Sequence, residues 1–343
     1  MVIPVSHVKV NNNIFISIAS YRDPLLKFTI TEAYQNAKNK QNLIFGVVEQ
    51  NDLENSLNLD DFTFKEQIRY VRVNAEQSRG CCWARNLVQS LYQDENYYFQ
   101  IDSHTAFDKK WDETLIFALE ELKRYHSKPI ISQYPDALEF EDDKPIKKRH
   151  NPEIDKIPFL SPPPENEPTW AGENTCHIIA RGTFQHSFQP YTHGYMISAG
   201  CLFTYGNFVN EVPYDPRLFF QGEETTLALR AWTRGWNIFH AKTTPIYHFY
   251  TDHEKRTRKL FWDEDQNEDR NFQWGTIDSN SVIRTNSVLT GCDVGPYGIG
   301  EKRTLDQFQS FTGIDYRNKI YTPRESLHRH DYKKSPEDYI RKQ

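Results

Sequence analysis

Over residues 14–135, short apolar runs alternate with segments of helical spacing, and this alternation constrains the fold more than any other feature of the sequence. The apolar runs predict five strands, at 14–19, 43–48, 67–73, 97–101 and 129–133. The segments between them predict three helices, one opened by Asp23 and Pro24, one over 84–92 and one over 111–125. This order is typical of an α/β protein with a Rossmann-type, mostly parallel central sheet flanked by helices. Ligands of such sheets bind beyond the carboxyl ends of the strands.

The rest of the chain is less regular. Residues 141–170 carry seven prolines and the charged run EDDKPIKKRH, so we predict no regular elements there and treat 136–195 as an irregular excursion beside the site. Helical spacing resumes over 223–234, and strands are predicted at 236–241 and 245–250. A Thr304/Gln307 capping box opens one late helix. We therefore predict a domain over 1–262 and a C-terminal extension over 263–343 that packs on it.

Charge, cysteine content and hydropathy exclude several classes of protein. A net charge of -6 leaves no basic field to attract nucleic acid. The five cysteines are odd in number and form no CxxC pair, which argues against a disulfide scaffold and favours a reducing compartment. No window approaches the roughly 18 apolar residues of a membrane-spanning helix, and no apolar signal region precedes residue 14. We expect a cytoplasmic protein without a transmembrane segment, which leaves peripheral membrane association open.

Two histidines and three carboxylates are candidates for chemistry. Asp102 and His104 follow the strand at 97–101, and a carboxylate and an imidazole two residues apart can turn to one divalent ion such as Mn²⁺. The alternative is a capped turn. His248 lies within an apolar strand, where a buried histidine held by hydrogen bonds is the competing interpretation. Glu223 and Glu224 precede a helix, either as acids favoured by the helix dipole or as groups that stabilise charge or position an acceptor.

Ordered motifs along the chain resemble the GlcNAc-transferase family, whose eukaryotic members are polypeptide α-N-acetylglucosaminyltransferases acting on hydroxyproline. The motifs are IASYRDP at 18–24, GVVEQ at 46–50, RGCCWAR at 79–85, QIDSH at 100–104 with Trp111 and Asp112, YDP at 214–216, GEE at 222–224, WTRG at 232–235 and YH at 247–248. The stretches 297–304 and 311–315 are also similar to the C-terminal part of the family. The resemblance implies a GT-A-like fold, a UDP-sugar donor, a divalent metal and retention of the anomeric configuration.

A more distant likeness is to the mucin-type N-acetylgalactosaminyltransferases, which share an Asp-x-His metal pair, a later histidine ligand and an Ala-Gly-Gly segment under the sugar. It implies that Asp102, His104 and His248 bind Mn²⁺ or Mg²⁺. Ala199-Gly200-Cys201 matches the glycine segment with cysteine in place of the second glycine, which alters the fit to the sugar. Gly200 lets the backbone approach the sugar closely.

The remaining roles follow from the same resemblance and from the position of each residue. Ser20, Tyr21 and Arg22 end the first strand, at the edge where such sheets bind nucleotides, and are assigned to uracil and ribose. Arg79 and Arg85 are assigned to phosphate or ribose, with a helix-surface ion pair as the alternative for Arg85. The nucleotide-sugar set also includes Asp102, Ser103 and Gly200. Glu223 or Glu224 is assigned to a donor or acceptor hydroxyl, and Asp23 is interpreted as a helix cap.

The expected function is a retaining glycosyltransferase that moves a sugar, GlcNAc by resemblance, from a UDP-sugar to a hydroxyl of a glycan or protein acceptor. One alternative is transfer of another UDP-hexose (Gal, GalNAc or Glc) in surface polysaccharide synthesis. A second is a non-catalytic carbohydrate-binding relative, against which the intact Asp102, His104 and Glu223 argue. A metal-dependent hydrolase is the third, but no HExxH motif supports it.

Overall fold

The computed structural model describes residues 12–149, 155–163, 167, 169–250, 259–266, 270, 272–324 and 327–340. Its strands are β1 Ile14–Tyr21, β2 Leu43–Gln50, β3 Ile68–Val73, β4 Tyr97–Asp102, β5 Thr105–Phe107, β6 Pro129–Ser132, β7 Asp136–Glu141, β8 Lys144–Lys148, β9 Lys156–Ser161, β10 Arg181–His186, β11 Tyr191–Gly194, β12 Cys201–Tyr205, β13 Asn237–Ala241, β14 Ile246–His248, β15 Ile314–Asp315 and β16 Ile320–Tyr321. Its α-helices are α1 Leu26–Asn36, α2 Cys81–Gln89, α3 Trp111–Lys123, α4 Phe208–Glu211, α5 Glu223–Thr233, α6 Trp274–Thr290 and α7 Leu305–Thr312.

Eight strands form the central sheet, in the order β11-β13-β6-β12-β4-β1-β2-β3. Six of them run in one direction, whereas β12 and the edge strand β11 run antiparallel to their neighbours. Side chains of β1 alternate between the two faces: Ile14, Ile16 and Ile18 pack with α1 and α3, and Phe15 packs with α2 and α5. Both faces are therefore covered by helices, which confirms the predicted α/β class.

The five strands and three helices predicted over 14–135 all form, with boundary shifts. Trp111, Leu115, Leu119 and Leu122 face inward as the 3.6-residue period of α3 requires. α2 begins at Cys81, three residues before the predicted start, because Gly80 adopts a positive φ of 103° and redirects the chain there. The carboxyl ends of β1, β2 and β4 meet at one edge of the sheet, where Tyr21 pairs with Gln50 and Ala19 with Asp102.

A second sheet, in the order β5-β14-β7-β8, stands beside this edge. β5 follows β4 almost directly, and β14 pairs with it antiparallel so that His248 lies opposite Thr105. This pairing brings His248 beside His104, although the two residues are 144 positions apart. The position of the second sheet thus depends on contacts between distant parts of the chain.

The prediction that 141–170 forms no regular element is wrong, and the stretch 136–195 contains β7 to β11. β7 and β8 form a hairpin whose two turn residues, Asp142 and Asp143, have φ values of 48° and 61°, as a two-residue hairpin turn requires. Pro145 is accommodated because β8 is an edge strand and pairs only with β7. Prolines 152, 164 and 168 lie outside the described residues.

The described part of the C-terminal extension contains two α-helices where one was predicted. The capping box of Thr304 and Gln307 opens α7 as expected, but α6 was missed. Leu289 of α6 and Phe308 and Phe311 of α7 pack against Leu229 and Trp232 of α5 in one buried cluster. Within the described residues, no helix has both the length and the apolar character needed to cross a bilayer.

Candidate active site and metal centre

A carboxylate and two imidazoles converge at the edge where the two sheets meet. Asp102 ends β4, His104 lies in the turn before β5, and His248 ends β14. Asp102 Oδ2 lies 2.9 Å from His248 Nε2, which lies 2.9 Å from His104 Nε2. The structure therefore brings together all three residues that the sequence suggested as metal ligands, with ligand atoms within 4.8 Å of one another.

Asp23 orients one of these imidazoles. Its Oδ2 accepts hydrogen bonds from His104 Nδ1 at 2.7 Å and from the Ser103 hydroxyl at 2.7 Å, and its Oδ1 accepts from the backbone of Leu25 at 2.9 Å. Because Nδ1 carries the proton donated to Asp23, the lone pair of His104 is on Nε2, the atom that faces His248. The cap role predicted for Asp23 is thus only part of what this buried carboxylate does.

The donor set fits a divalent transition metal. A carboxylate oxygen and two imidazole nitrogens directed at one point are ligands that Mn²⁺ accepts, with further positions left for ligand oxygens. Burial opposes ionisation of Asp102, but the hydrogen bond from His248 and the charge of Arg85 together hold the pKa of this carboxyl far below its ordinary value. Asp102 is therefore a carboxylate, the form that binds a metal, across the physiological pH range.

Gly200 lies against this cluster. A Cβ atom on Gly200 would come within 2.8 Å of Asp102 Oδ2 and 3.6 Å of His248 Cδ2. The missing side chain therefore makes room for the candidate metal ligands, and Gly200 also lines a cavity beside them.

Arg85 is buried and lines the acidic side of the cluster, so of its two predicted roles only the helix-surface ion pair is wrong. It is 1% exposed, so it is not a helix-surface residue. Its Nη2 lies 2.6 Å from Asp102 Oδ1 and its Nε lies 2.9 Å from Glu223 Oε1. The guanidinium therefore joins the candidate metal cluster to one of the two glutamates, and its Nη1 also donates to the carbonyl of Ile101.

Glu223 and Glu224 open α5 but differ in environment. Glu223 is buried, and its Oε1 also accepts from the Tyr214 hydroxyl at 2.7 Å. Burial raises the pKa of Glu223 even though Arg85 opposes the shift. Glu224 accepts a 2.7 Å hydrogen bond from the backbone of Ala199, and burial raises its pKa to about 8. At pH 7 Glu224 therefore carries a proton that it can donate, whereas Glu223 is held in place by its partners.

Two cavities of about 350 Å³ each adjoin the cluster. We call the first the aromatic cavity; its lining is Ala19, Tyr21, Gln50, Ser78, Gly80, Cys81, Asp102, Ser103, His104, Phe219, Phe220, His248, Leu260, Phe261 and Trp262. We call the second the acidic cavity; its lining is Cys81, Arg85, Asp102, Tyr134, Pro135, His177, Ser198, Ala199, Gly200, Phe220, Gln221, Gly222, Glu223, Glu224, His248 and Tyr250. Asp102 and His248 line both, so the metal cluster stands where the cavities meet.

Three residues of the predicted nucleotide set do not line either cavity within the described part of the chain. Ser20 is buried on the opposite side of β1 from Ala19 and Tyr21, because successive residues of a strand face opposite ways. Arg22 instead forms a two-pronged ion pair with Asp52. Arg79 is exposed, and its guanidinium lies 4.6 Å from the ring centre of Phe272.

Sequence reasoning missed most of the aromatic cavity. Phe219 and Phe261 lie 5.0 Å apart between ring centres, and Phe220 and Trp262 lie 5.3 Å apart. The pair at 219–220 precedes the GEE motif, and Phe261 and Trp262 form a second aromatic pair, so adjacent aromatics beside a motif were the available signal. Cys81, which lines both cavities, belongs to the RGCCWAR motif but had been given no role.

Fold and site together define an α/β protein with a candidate metal centre between two cavities at the carboxyl edge of a mostly parallel sheet. A family model described as "Glycosyltransferase (GlcNAc)" matches residues 13–63 and 54–318. The chain therefore belongs to this GlcNAc glycosyltransferase family.

The fold is shared with a solved glycosyltransferase structure. The crystal structure of GalNAc-T7 with UDP, GalNAc and Mn²⁺ matches with a TM-score of 0.55 and 13% identity, over 84% of this chain and 55% of that chain. The structure of S. aureus TarS residues 1–349 in complex with UDP-GlcNAc matches with a TM-score of 0.44 and 12% identity, over 82% of this chain and 76% of that one. The chain thus spans about 55% of the length of GalNAc-T7 and has a GT-A fold. No curated protein matches it.

Proposed function

We propose that the protein is a metal-dependent glycosyltransferase that moves GlcNAc from UDP-GlcNAc to a hydroxyl acceptor with retention of the anomeric configuration. The observation that carries the proposal is the cluster of Asp102, His104 and His248 at the junction of two cavities in a chain of the GlcNAc glycosyltransferase family. The GalNAc-T7 structure, which contains UDP, GalNAc and Mn²⁺, supports a UDP-sugar donor and Mn²⁺ as the metal. GlcNAc and retention rest on the family.

In this proposal the aromatic cavity takes the uridine, and the acidic cavity takes the sugar. Tyr21, Phe219 and Phe261 offer flat apolar surfaces, and the buried Gln50 and Ser78 offer polar edges, which suits a heterocyclic base. The acidic cavity instead presents two glutamates and His177, groups that hydrogen-bond to hydroxyls. The diphosphate between the two would then lie at the cluster.

Residues of the chain hold and orient the candidate metal ligands at the junction of the two cavities. Asp102, His104 and His248 would hold the metal, which when bound supplies positive charge to the departing diphosphate. Asp23 keeps the lone pair of His104 directed at the cluster. Arg85 holds Asp102 Oδ1 and so fixes the carboxylate with Oδ2 toward His248. Contacts within the protein therefore hold these groups in position, and such preorganisation lowers an electrostatic barrier.

The two glutamates contribute differently in the proposed reaction. Glu224, protonated at pH 7, can donate a hydrogen bond to an oxygen of the sugar or acceptor. Glu223 accepts from Tyr214 and faces Arg85, so it is held in one orientation against the wall of the acidic cavity.

The test is UDP release from UDP-GlcNAc, UDP-GalNAc, UDP-Gal and UDP-Glc, measured with Mn²⁺, with Mg²⁺ and with EDTA. We expect UDP-GlcNAc to react fastest, EDTA to abolish release and Asp102→Asn to lower release about 100-fold or more even at millimolar Mn²⁺. NMR of the product would show the anomeric configuration. Absence of UDP release from all four donors, with no rise in melting temperature on adding UDP and Mn²⁺, would contradict the proposal.

A further inference from the structure

A third cavity continues from the acidic cavity on the side away from the aromatic one. It has a volume of about 220 Å³ and shares Tyr134, Pro135 and Tyr250 with the acidic cavity, but no residue with the aromatic cavity. The Tyr250 hydroxyl donates to the Pro135 carbonyl at 2.8 Å, and the Tyr250 ring lies 4.4 Å from that of His248. The three cavities therefore form a row, with the candidate metal cluster between the first two.

This third cavity is built on strands rather than on loops alone. Phe159 and Leu160 belong to β9, and Gly182, Thr183 and Phe184 belong to β10, which pairs with it in register. A Cβ on Gly182 would come within 3.2 Å of the Tyr134 ring, so the bare backbone of β10 lies against the edge of that ring. The walls are held by backbone hydrogen bonds, which makes the cavity a preformed binding site.

Its lining combines flat rings with hydroxyl and amide groups. Four aromatic side chains contribute to the lining, namely Tyr134, Phe159, Phe184 and Tyr250. Polar contributions come from Gln133 and three threonines, and the two charged residues, Asp136 and Lys242, cancel in net charge. A pyranose ring has the matching chemistry, with apolar C–H faces that pack on aromatic rings and hydroxyls at its rim.

We propose that this third cavity is the acceptor subsite and that it binds a neutral pyranose residue of a glycan acceptor. The inference rests on the proposed function, since it takes the acidic cavity as the site of the transferred sugar. An acceptor must then approach from the end of the row opposite the nucleotide. An acyl chain would need an uninterrupted apolar wall, and an anionic polymer would need an excess of positive charge, neither of which this lining provides.

A substitution at Phe184 would change the lining of the third cavity without changing that of the aromatic or acidic cavity. It is 45% exposed on the edge strand β10 and lines only the third cavity. Phe188 provides the matched control because it is an 83% exposed phenylalanine four residues further on that lines none of the three cavities. Circular dichroism would verify that Phe184→Ala and Phe188→Ala are folded.

Binding would be measured by saturation-transfer NMR with methyl α- and β-glycosides of glucose, galactose, mannose and GlcNAc, in the presence of UDP and Mn²⁺. We expect at least one glycoside to bind, and Phe184→Ala to weaken its binding about 5- to 10-fold through loss of a ring contact. Phe188→Ala should bind like the wild type. Binding that is equal in all three proteins, or no binding of any glycoside, overturns the subsite.

Rates of UDP release with and without a glycoside distinguish the proposed acceptor subsite from the proposed transferase function. With UDP-GlcNAc as donor, the bound glycoside should raise UDP release above hydrolysis. Phe184→Ala should raise the KM for the glycoside, whereas Phe188→Ala should change neither this KM nor donor hydrolysis. Stimulation by a proline-containing hexapeptide and by no glycoside would refute the glycan subsite while leaving the transferase intact. Loss of all UDP release in the wild type would instead refute the proposed function.

Discussion

At the scale of single residues, the candidate metal centre depends on neighbours that are not ligands. Gly200 leaves space beside Asp102, and Asp23 fixes the orientation of His104. Arg85 neutralises charge behind Asp102 and Glu223. Buried carboxylates without such a cation would be costly, so the site is held together by this set of contacts as much as by the three ligands.

Adding one methyl group at Gly200 tests how tightly the cluster is packed. In Gly200→Ala the new Cβ would lie 2.8 Å from Asp102 Oδ2, closer than carbon and oxygen tolerate, so the carboxylate has to move. We expect the affinity for Mn²⁺ in the presence of UDP to fall about 10-fold or more while the fold persists. Titration calorimetry would measure the affinity.

Gly172→Ala is the matched control, since its new Cβ would meet only Thr175 Cγ2, at 3.7 Å. It should bind Mn²⁺ like the wild type. Unchanged Mn²⁺ affinity in Gly200→Ala would show that Asp102 does not ligate the ion from its position in this structure.

Asp23→Asn tests the orientation of His104. The carboxylate accepts on both oxygens, from the Leu25 backbone on Oδ1 and from Ser103 and His104 on Oδ2. The amide keeps the size of the side chain but has only one acceptor oxygen, so its NH₂ group must face one of these donors. We expect the Mn²⁺ concentration for half-maximal UDP release to rise about 10- to 100-fold, the range typical of changes to groups that support metal ligands. Asp61→Asn, which removes an exposed ion pair with Lys27, should leave it unchanged.

The sequence identified the three candidate ligands because two lie at the end of a clear strand and the third belongs to a motif of the family. It could not place Ser20, since the motif ASYRDP does not show which alternate residues of β1 face the cavity. Nor could it place Arg85, whose partners come from β4 and α5. Contacts between separate elements are not encoded in local spacing.

At the scale of secondary-structure elements, α6 supports the loop that carries Phe219 and leads into α5 at Glu223. The Ser281 hydroxyl accepts from the Phe219 backbone at 2.9 Å, and Arg284 Nε donates to Asp215 Oδ2 at 2.7 Å. Gly222, with φ at 86°, packs so closely that a Cβ there would overlap Thr285. A helix of the C-terminal extension thus shapes one wall of both cavities.

Ser281→Ala should reveal this support. The variant leaves the buried backbone N–H of Phe219 without its acceptor, which costs about 1–3 kcal/mol of unfolding free energy. We also expect weaker UDP binding, because Phe219 lines the aromatic cavity. Urea unfolding and UDP titration would measure the two effects, and Ser279→Ala, an exposed serine on the same helix, should show neither. Equal behaviour of the two variants would exclude the supporting role.

The same helix shows why parts of the fold were not predicted. Two of the buried positions of α6 are Ser281 and Thr285, while its Ile283 is 66% exposed, so no apolar stripe marks the helix. In β7–β8, charged and proline residues obscured a hairpin whose turn depends on two aspartates with positive φ. Tertiary packing determines these elements, whereas β1 to β4 are marked by their own apolar runs.

At the scale of the whole molecule, buried histidines hold the end of the chain against the central sheet. His126 Nε2 donates to the carbonyl of Tyr332 at 2.6 Å, and His193 Nε2 donates to that of Lys334 at 3.0 Å. Burial lowers the pKa of His193 to about 3 and that of His240 to about 4, and it also lowers the pKa of His126. All three are neutral in the folded protein at pH 7.

These histidines and Glu224 predict a stability maximum near pH 6.5. Below this pH the unfolded chain binds protons that the folded protein does not, so each histidine lowers the unfolding free energy by up to about 1.4 kcal/mol per pH unit as the pH falls.

Glu224 acts in the opposite sense: its folded pKa of about 8 lies above the ordinary 4.5, so stability is lost as the pH rises through this interval. Below pH 6.5 the three histidines outnumber the two glutamates whose pKa is raised, and above it the effect of the glutamates, chiefly Glu224, remains. Urea unfolding in EDTA from pH 5 to 8 should therefore show a decline on both sides, and Glu224→Gln should abolish only the decline above pH 6.5. A wild-type stability that keeps rising to pH 8 would show that Glu224 is ionised in the folded protein and would remove it as a donor in the proposed reaction.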